Sequence, residues 1–177
     1  MYRVLMFTLT ASTAVLATAA DAGRYGIGRA ATPQEIKALG ISVPPEGSGL
    51  PPGRGTALEG QKVYQTHCLA CHGATGEGND VYPALVGGRN SLKTDKPVLT
   101  VGSYWPYATT LWDYINRAMP YPDAGSLTPD EVYSVSAYIL FLNGIVSQRD
   151  ELNRTTLPKV RMPNRDGFTA DARPDVP

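Results

Sequence analysis

The sequence predicts an all-α fold, with three to five short helices in one small domain and long irregular segments at both ends. Capping boxes at residues 32–35 (Thr-Pro-Gln-Glu) and 128–131 (Thr-Pro-Asp-Glu) mark two helix starts. These helices should end at Gly40 and Gly144, because glycine commonly follows a helix C-terminus. The 15 prolines and 18 glycines, most of them outside the central domain, favour irregular flanks.

The central domain contains three stretches with helical spacing. Residues 57–66 place Gly60 and Tyr64 on one face, and a glycine inside a helix usually marks close approach of another helix. The helix that begins at the second capping box has a broad apolar face and is the expected partner. Residues 109–117 form the third helix, whose apolar residues are Leu111, Trp112, Ile115 and Ala118 just beyond it.

Both cysteines of the chain and one of its two histidines lie in the stretch Cys68-Leu69-Ala70-Cys71-His72. The pattern C-x-x-C-H is the attachment signature of c-type haem. Residues three apart on a helical turn point the same way, so Cys68 and Cys71 can bond one porphyrin edge. His72 then reaches the iron from one side. The sequence therefore predicts one covalently bound haem c with His72 as an axial ligand.

Other functions of this cysteine pair fit the sequence less well. A thioredoxin-like redox pair needs a βαβ context that the flanking residues do not provide. A zinc site needs a second Cys/His pair, and His67 is the one remaining histidine. A disulfide across two intervening residues would close a very small loop and stabilise the fold little.

The sixth iron ligand has two candidates, because Met1 and Met6 fall in a predicted signal peptide. Met119 follows a helix and is followed by Pro120 and a proline-rich loop, so it is not at a helical core position. Met162 comes after the final helix in a charged segment. We expect Met119 to be the ligand, with Met162 or a vacant site as alternatives. A Met/His pair raises the haem potential and leaves no room for substrate, which indicates electron transfer.

Several residues are candidates for contacts around the haem. The Pro83 carbonyl is the predicted acceptor for the second ring N–H of His72, since ligating histidines usually donate to a carbonyl or carboxylate. A surface turn is the alternative for this proline. Polar-tipped or cationic groups could bond the haem propionates, and sequence alone does not choose among Arg89, Tyr104, Trp105, Tyr107 and Trp112.

Composition divides the chain into four segments. Residues 1–22 read as a signal peptide, with Arg3 in the n-region and cleavage near residues 19–22, so we expect a periplasmic protein with no membrane span in the mature chain. Residues 23–56 form an arm with a short helix or a disordered linker, and residues 57–146 form the haem domain. Residues 147–177 have no hydrophobic periodicity and are basic between 154 and 165. Three possibilities are open for this segment: it folds back on its own domain, it docks on an acidic partner, or it remains disordered. The formal net charge of +0 does not favour nucleic acid or an anionic membrane surface.

The order of helix, C-x-x-C-H, helix, Met-Pro loop and final helix resembles class I cytochrome c over residues 57–145. A narrower resemblance covers nearly the whole mature chain. Residues 25–33, 101–110, 119–121 and 161–168 are similar to the cytochrome subunit of bacterial sulfite (sulfur) dehydrogenases of the SoxD type. Some members of that family carry two haem domains, whereas this chain has one C-x-x-C-H.

This resemblance implies a periplasmic complex with a molybdenum-containing catalytic subunit of the sulfite oxidase kind. That subunit would oxidise sulfite or a bound sulfane sulfur, and the cytochrome would pass electrons to a downstream cytochrome c or oxidase. The chain would then not be an enzyme on its own. The alternatives are a freely diffusing periplasmic shuttle and a catalytic haem protein, thiosulfate-oxidising or peroxidatic, with an open sixth site.

Overall fold

The structure is a computed structural model that describes residues 28–173. The predicted signal peptide, residues 1–22, therefore lies outside the described residues. The described chain falls into two compact units that divide between Leu39 and Gly40. Residues 28–173 contain five α-helices, which we number in chain order: α1 (Pro33–Leu39), α2 (Ala57–His67), α3 (Leu69–His72), α4 (Ala108–Ala118) and α5 (Pro129–Leu142).

The first unit contributes α1 alone to the described chain. Its capping box is formed, since the amide of Thr32 donates to Glu35 Oε2 at 2.8 Å and the amide of Glu35 donates to Thr32 Oγ1 at 3.3 Å. The Arg29 guanidinium pairs with the Glu35 carboxylate and, together with the Thr32 hydrogen bonds, lowers the pKa of Glu35 to about 2. These local contacts are confined to the surface, so the sequence around α1 is sufficient to explain where the helix begins.

The second unit is built on the crossing of α2 and α5. Both helices begin with a complete capping box, at Thr56 with Glu59 and at Thr128 with Glu131. Gly60 lies against the backbone of Ser134, and a Cβ at this position would collide with the Ser134 carbonyl. The glycine therefore permits the close helix contact that its position predicted. Beyond it, the ring of Tyr64 packs on Tyr138 with centroids 5.3 Å apart.

Helix α4 completes the core together with irregular segments from both sides of the haem domain. Arg54–Gly55 (β1) and Leu152–Asn153 (β2) form a two-stranded antiparallel ladder. The described part of the chain also contains three short 3₁₀ turns, at Ser91–Lys93, Tyr121–Asp123 and Leu157–Lys159. No helix within residues 28–173 combines the length and the apolar character that a membrane crossing requires.

The segment before α2 is bound to α4 by a buried polar contact. The amide of Val43 donates to Oδ1 of Asp113 at 3.0 Å, and Asp113 also pairs with Arg117 one turn later. Val43 and Leu50 are both buried in the core. The structure therefore places residues 43–50 as an ordered part of the second unit.

The segment after α5 also supplies core residues. Leu152, Leu157 and Met162 are buried, while Phe168 is 52% exposed. The sequence analysis left open whether this segment folds back on its own domain, docks on an acidic partner or remains disordered. Its buried residues pack inside the second unit, while Phe168 remains exposed. No periodic pattern signals this burial, because the segment has little regular structure.

We expect Gly60→Ala to destabilise the haem-loaded protein by about 2 kcal/mol, since the added methyl group meets backbone rather than a movable side chain. The free energy of unfolding from denaturant titration measures this loss. Gln61→Ala, on the exposed side of the same helix, is the control and should change little. A gain of up to ~1 kcal/mol, as for glycine to alanine in an exposed helix, would contradict the close crossing.

Candidate haem site

The two cysteines lie at the end of α2 and on the single turn of α3. The amides of Cys71 and His72 both donate to the Cys68 carbonyl, at 3.1 and 2.9 Å. Both thiols are half-buried, and neither forms a disulfide. Burial, with the neighbouring Cys71 as a smaller cause, raises the pKa of the Cys68 thiol to about 11. Before haem attachment this burial disfavours the thiolate form, unlike in redox-active pairs, whose cysteines have lowered pKa values.

Tyr64 holds the end of this motif in place. Its hydroxyl donates to the carbonyl of Gly73 at 2.9 Å, directly after His72. Burial raises the pKa of Tyr64 to about 12, so the hydroxyl keeps its proton and remains a donor. The sequence analysis placed Tyr64 on the packing face of α2 but did not assign this hydrogen bond. The hydroxyl of a buried tyrosine usually needs a hydrogen-bond acceptor, and this rule could have predicted such a bond for Tyr64.

The imidazole of His72 is oriented by the loop that follows it. Nδ1 of His72 lies 3.0 Å from the carbonyl oxygen of Pro83. A carbonyl can only accept, so Nδ1 carries the proton and Nε2 is left with a lone pair for a metal. Two further hydrogen bonds join this loop to the motif: the Gly78 amide donates to the His72 carbonyl, and Asn79 Nδ2 donates to the Cys71 carbonyl.

The two candidate methionines lie in different environments. Met119 is the C-cap residue of α4, where its amide donates to Ile115 at 3.0 Å, and its side chain is partly buried against the core. The turn at Tyr121–Asp123 follows it, and Tyr121 is 82% exposed. Met162 is 1% exposed and belongs to the hydrophobic core.

The predicted propionate contacts have different neighbours in the structure. Arg89 donates from Nη2 to the Asn143 carbonyl at 3.0 Å. Trp112 is 2% exposed, and its Nε1 has no hydrogen-bond partner among the described residues. The remaining three are aromatic residues before α4 that stack on other groups, namely Tyr104 on Phe168, Trp105 on Tyr114 and Tyr107 under the Arg165 guanidinium.

Asn143, at the C-terminus of α5, has the most extensive hydrogen bonding in this region and was missed by the sequence analysis. Its Nδ2 donates to the carbonyls of Leu85 and Ile139, and its Oδ1 accepts from the amide of Gly87. Leu85 and Gly87 follow Pro83 in the loop that orients His72. An asparagine before a helix-ending glycine is common, so the sequence offered no sign of contacts 56 and 58 residues away.

The donor set fits a covalently bound haem. Two unpaired thiols lie one helical turn apart, and the adjacent imidazole has its Nδ1 occupied and its Nε2 available. A buried indole N–H without an acceptor in the described chain, on Trp112, is also suited to a carboxylate supplied by such a group.

Comparisons with known proteins agree with this chemistry. The Cytochrome c family profile matches residues 57–143. A chain in the crystal structure of the sulfane dehydrogenase SoxCD from Paracoccus pantotrophus is 41% identical, with a TM-score of 0.75, over 86% of this chain and 75% of that chain.

Two curated relatives match shorter regions. The thiosulfate dehydrogenase of Psychrobacter arcticus is 34% identical over 58% of this chain, which spans 32% of that protein's length. The photosystem II extrinsic protein V of Microcystis aeruginosa is 32% identical over 48% of this chain and 70% of that protein. The family match, the similarity to the SoxCD chain and the C-x-x-C-H thiols together identify a covalent haem c protein. The chain belongs to the cytochrome c family, as a class I c-type cytochrome.

Proposed function

We propose that this cytochrome is the electron-transfer subunit of a sulfite (sulfur) dehydrogenase complex. It would accept electrons one at a time from a molybdenum-containing catalytic subunit and pass them to a downstream cytochrome c or oxidase. The similarity to a SoxCD chain carries this proposal, because it extends over 86% of the chain and so reaches beyond the haem domain. A signal peptide over residues 1–22 and a periplasmic location belong to the same proposal.

Four residues are proposed to hold the haem. Cys68 and Cys71 form the two thioether bonds, and His72 and Met119 are the axial iron ligands. Support for His72 comes from its Nδ1 contact with Pro83, which presents Nε2 as the ligand atom. Support for Met119 comes from its position at the end of α4, whereas Met162 is packed in the core. When bound, haem supplies an iron that cycles between ferric and ferrous.

Polar groups around the site are proposed to contact the propionates. Trp112 is favoured, because its buried Nε1–H otherwise lacks an acceptor in the described chain. Arg89, Tyr104 and Trp105 remain proposed contacts, although Arg89 already donates to Asn143. Electrons would enter and leave beside Cys68 and Cys71, where the neighbouring Leu69 is exposed.

A thiosulfate-oxidising cytochrome is the second candidate, favoured by the curated thiosulfate dehydrogenases among the relatives. The chain spans only 25% to 32% of the length of these relatives. Both cysteines of this chain lie in the attachment motif, so no further thiol is available for iron or substrate chemistry. A free electron shuttle would use the same haem ligands without a dedicated partner.

Met119→Ala should remove the sixth ligand of the haem-loaded protein. The ferric iron should then bind added imidazole, and the midpoint potential should fall by roughly 0.1–0.3 V, because a thioether ligand favours ferrous iron. Absorption spectra with imidazole titration and potentiometry measure both effects.

Met162→Leu is the matched control for that substitution. It conserves volume at a buried position, so it should cost less than about 1.5 kcal/mol of stability and leave the spectrum unchanged. Our ligand assignment would be wrong if the ferric iron bound imidazole in the Met162 variant and not in the Met119 variant.

The partnership predicts a specific reduction behaviour. Sulfite alone should reduce the purified cytochrome only slowly, because oxidation of sulfite to sulfate removes two electrons and adds an oxygen atom, whereas a six-coordinate haem accepts one electron and has no open iron site. A molybdenum protein co-purified on the tagged mature chain should make sulfite a fast reductant. Metal analysis of the captured complex and haem absorbance after addition of sulfite or thiosulfate test this.

Two results would count against the subunit proposal. Reduction of the isolated cytochrome by thiosulfate would favour the catalytic alternative. A cytochrome that purifies alone, is reduced by ascorbate and ignores sulfite in the native extract would favour a free shuttle.

A further inference from the structure

We propose that Asn143 is a positioning residue for the proximal iron ligand. It would hold the loop that carries Pro83 against the end of α5, so that the Pro83 carbonyl stays in place as the acceptor for His72 Nδ1. The inference rests on the proposed ligation by His72.

The loop that carries Pro83, residues 76–86, needs an attachment to the rest of the domain. Apart from the Gly78 amide, which donates to the His72 carbonyl, its backbone bonds are internal, since the amides of Leu85 and Val86 both donate to the Gly76 carbonyl, at 2.8 and 3.1 Å. These bonds shape residues 76–86 and join them to the haem-attachment motif, but they do not join them to α5. In the described chain, the hydrogen bonds between this loop region and α5 all involve Asn143.

The carboxamide makes three hydrogen bonds, two with the loop region and one with α5 itself. One Nδ2 hydrogen goes to the Leu85 carbonyl at 3.1 Å and the other to the Ile139 carbonyl at 2.9 Å, while Oδ1 accepts from the Gly87 amide at 3.3 Å. In the loop region, Asn143 thus binds one carbonyl acceptor, on Leu85, and one amide donor, on Gly87. Aspartate lacks the two N–H donors and leucine lacks all three groups, so an amide of this length is required.

The surrounding chain is shaped to admit this amide. Gly102 lies against the Asn143 side chain, and a Cβ at Gly102 would collide with Oδ1. Arg89 donates to the Asn143 carbonyl at 3.0 Å and covers the same helix end. Gly144 then ends α5 with φ of 64°, a left-handed conformation that glycine adopts without strain.

The consequence for the haem follows from the chemistry of a ligating imidazole. A firm hydrogen bond from Nδ1 makes the ligand more basic, and a more basic ligand stabilises ferric iron more than ferrous iron. Loosening the Pro83 carbonyl should therefore weaken that bond and raise the midpoint potential. The same loss should expose the Nδ1 proton to exchange with solvent.

Asn143→Asp in the haem-loaded, full-length chain tests this. It keeps the shape and the acceptor, removes both donors and adds a negative charge. The charge alone would lower the midpoint potential, so a rise reports the loss of the donors. We expect exchange of the His72 Nδ1 proton, followed by nitrogen-15 NMR in the ferrous state, to speed up about tenfold, and the midpoint potential to rise. Gly102→Ala should move both readouts the same way without altering the amide, which keeps the test decisive if the Asn143→Asp substitution impairs folding.

Asn153→Asp is the matched control, because the Asn153 side chain bonds only within residues 151–156. It should leave the exchange rate and the potential at wild-type values. The proposal is overturned if Asn143→Asp lowers the melting temperature yet changes neither readout, since Asn143 would then be only a helix cap. Fast solvent exchange of the His72 Nδ1 proton in the wild type would also overturn the proposal, because it would contradict the assignment of His72 as a ligand that donates from Nδ1 to Pro83. Neither readout involves sulfite or a partner, so failure of the dehydrogenase proposal is seen separately.

Discussion

The close crossing of α2 and α5 at Gly60 is the constraint on which the haem site depends. Without a side chain at this position, the two backbones approach until Gly60 lies against the Ser134 carbonyl. Helix α2 runs from this crossing to the attachment motif, and α5 runs from it to Asn143. Tyr64 reinforces the arrangement, with its ring on Tyr138 and its hydroxyl on Gly73. One contact between helices therefore fixes the cysteines and the support of the histidine together.

The features that the sequence predicted are those with local causes. The capping boxes at Thr32 and Thr128 and the motif from Cys68 to His72 each depend on residues within four positions of one another. The close approach at Gly60 was predictable because a glycine in a helix is costly without a neighbour. Such signals are sufficient for the helices and for the chemistry of the motif.

Contacts between distant polar groups could not be predicted in the same way. Asp113 accepts from Val43 across 70 residues, and Asn143 reaches Leu85 across 58 residues. Neither residue interrupts a hydrophobic pattern, and each has ordinary reasons to occur on a helix. The burial of Leu157 and Met162 was hidden for a related reason, since an irregular segment has no period against which apolar residues can be read.

The two proposed iron ligands are supported by different parts of the chain. His72 belongs to a turn joined to α2, and its acceptor is held through Asn143 by α5. Met119 ends α4, whose Asp113 binds the segment before α2. The segment before α2 is thus part of the support of α4 and of Met119 at its end, which accounts for the burial of Val43 and Leu50 without a partner. The buried residues of the C-terminal segment are therefore not free to contact another protein, whereas Phe168 and Tyr121 are exposed.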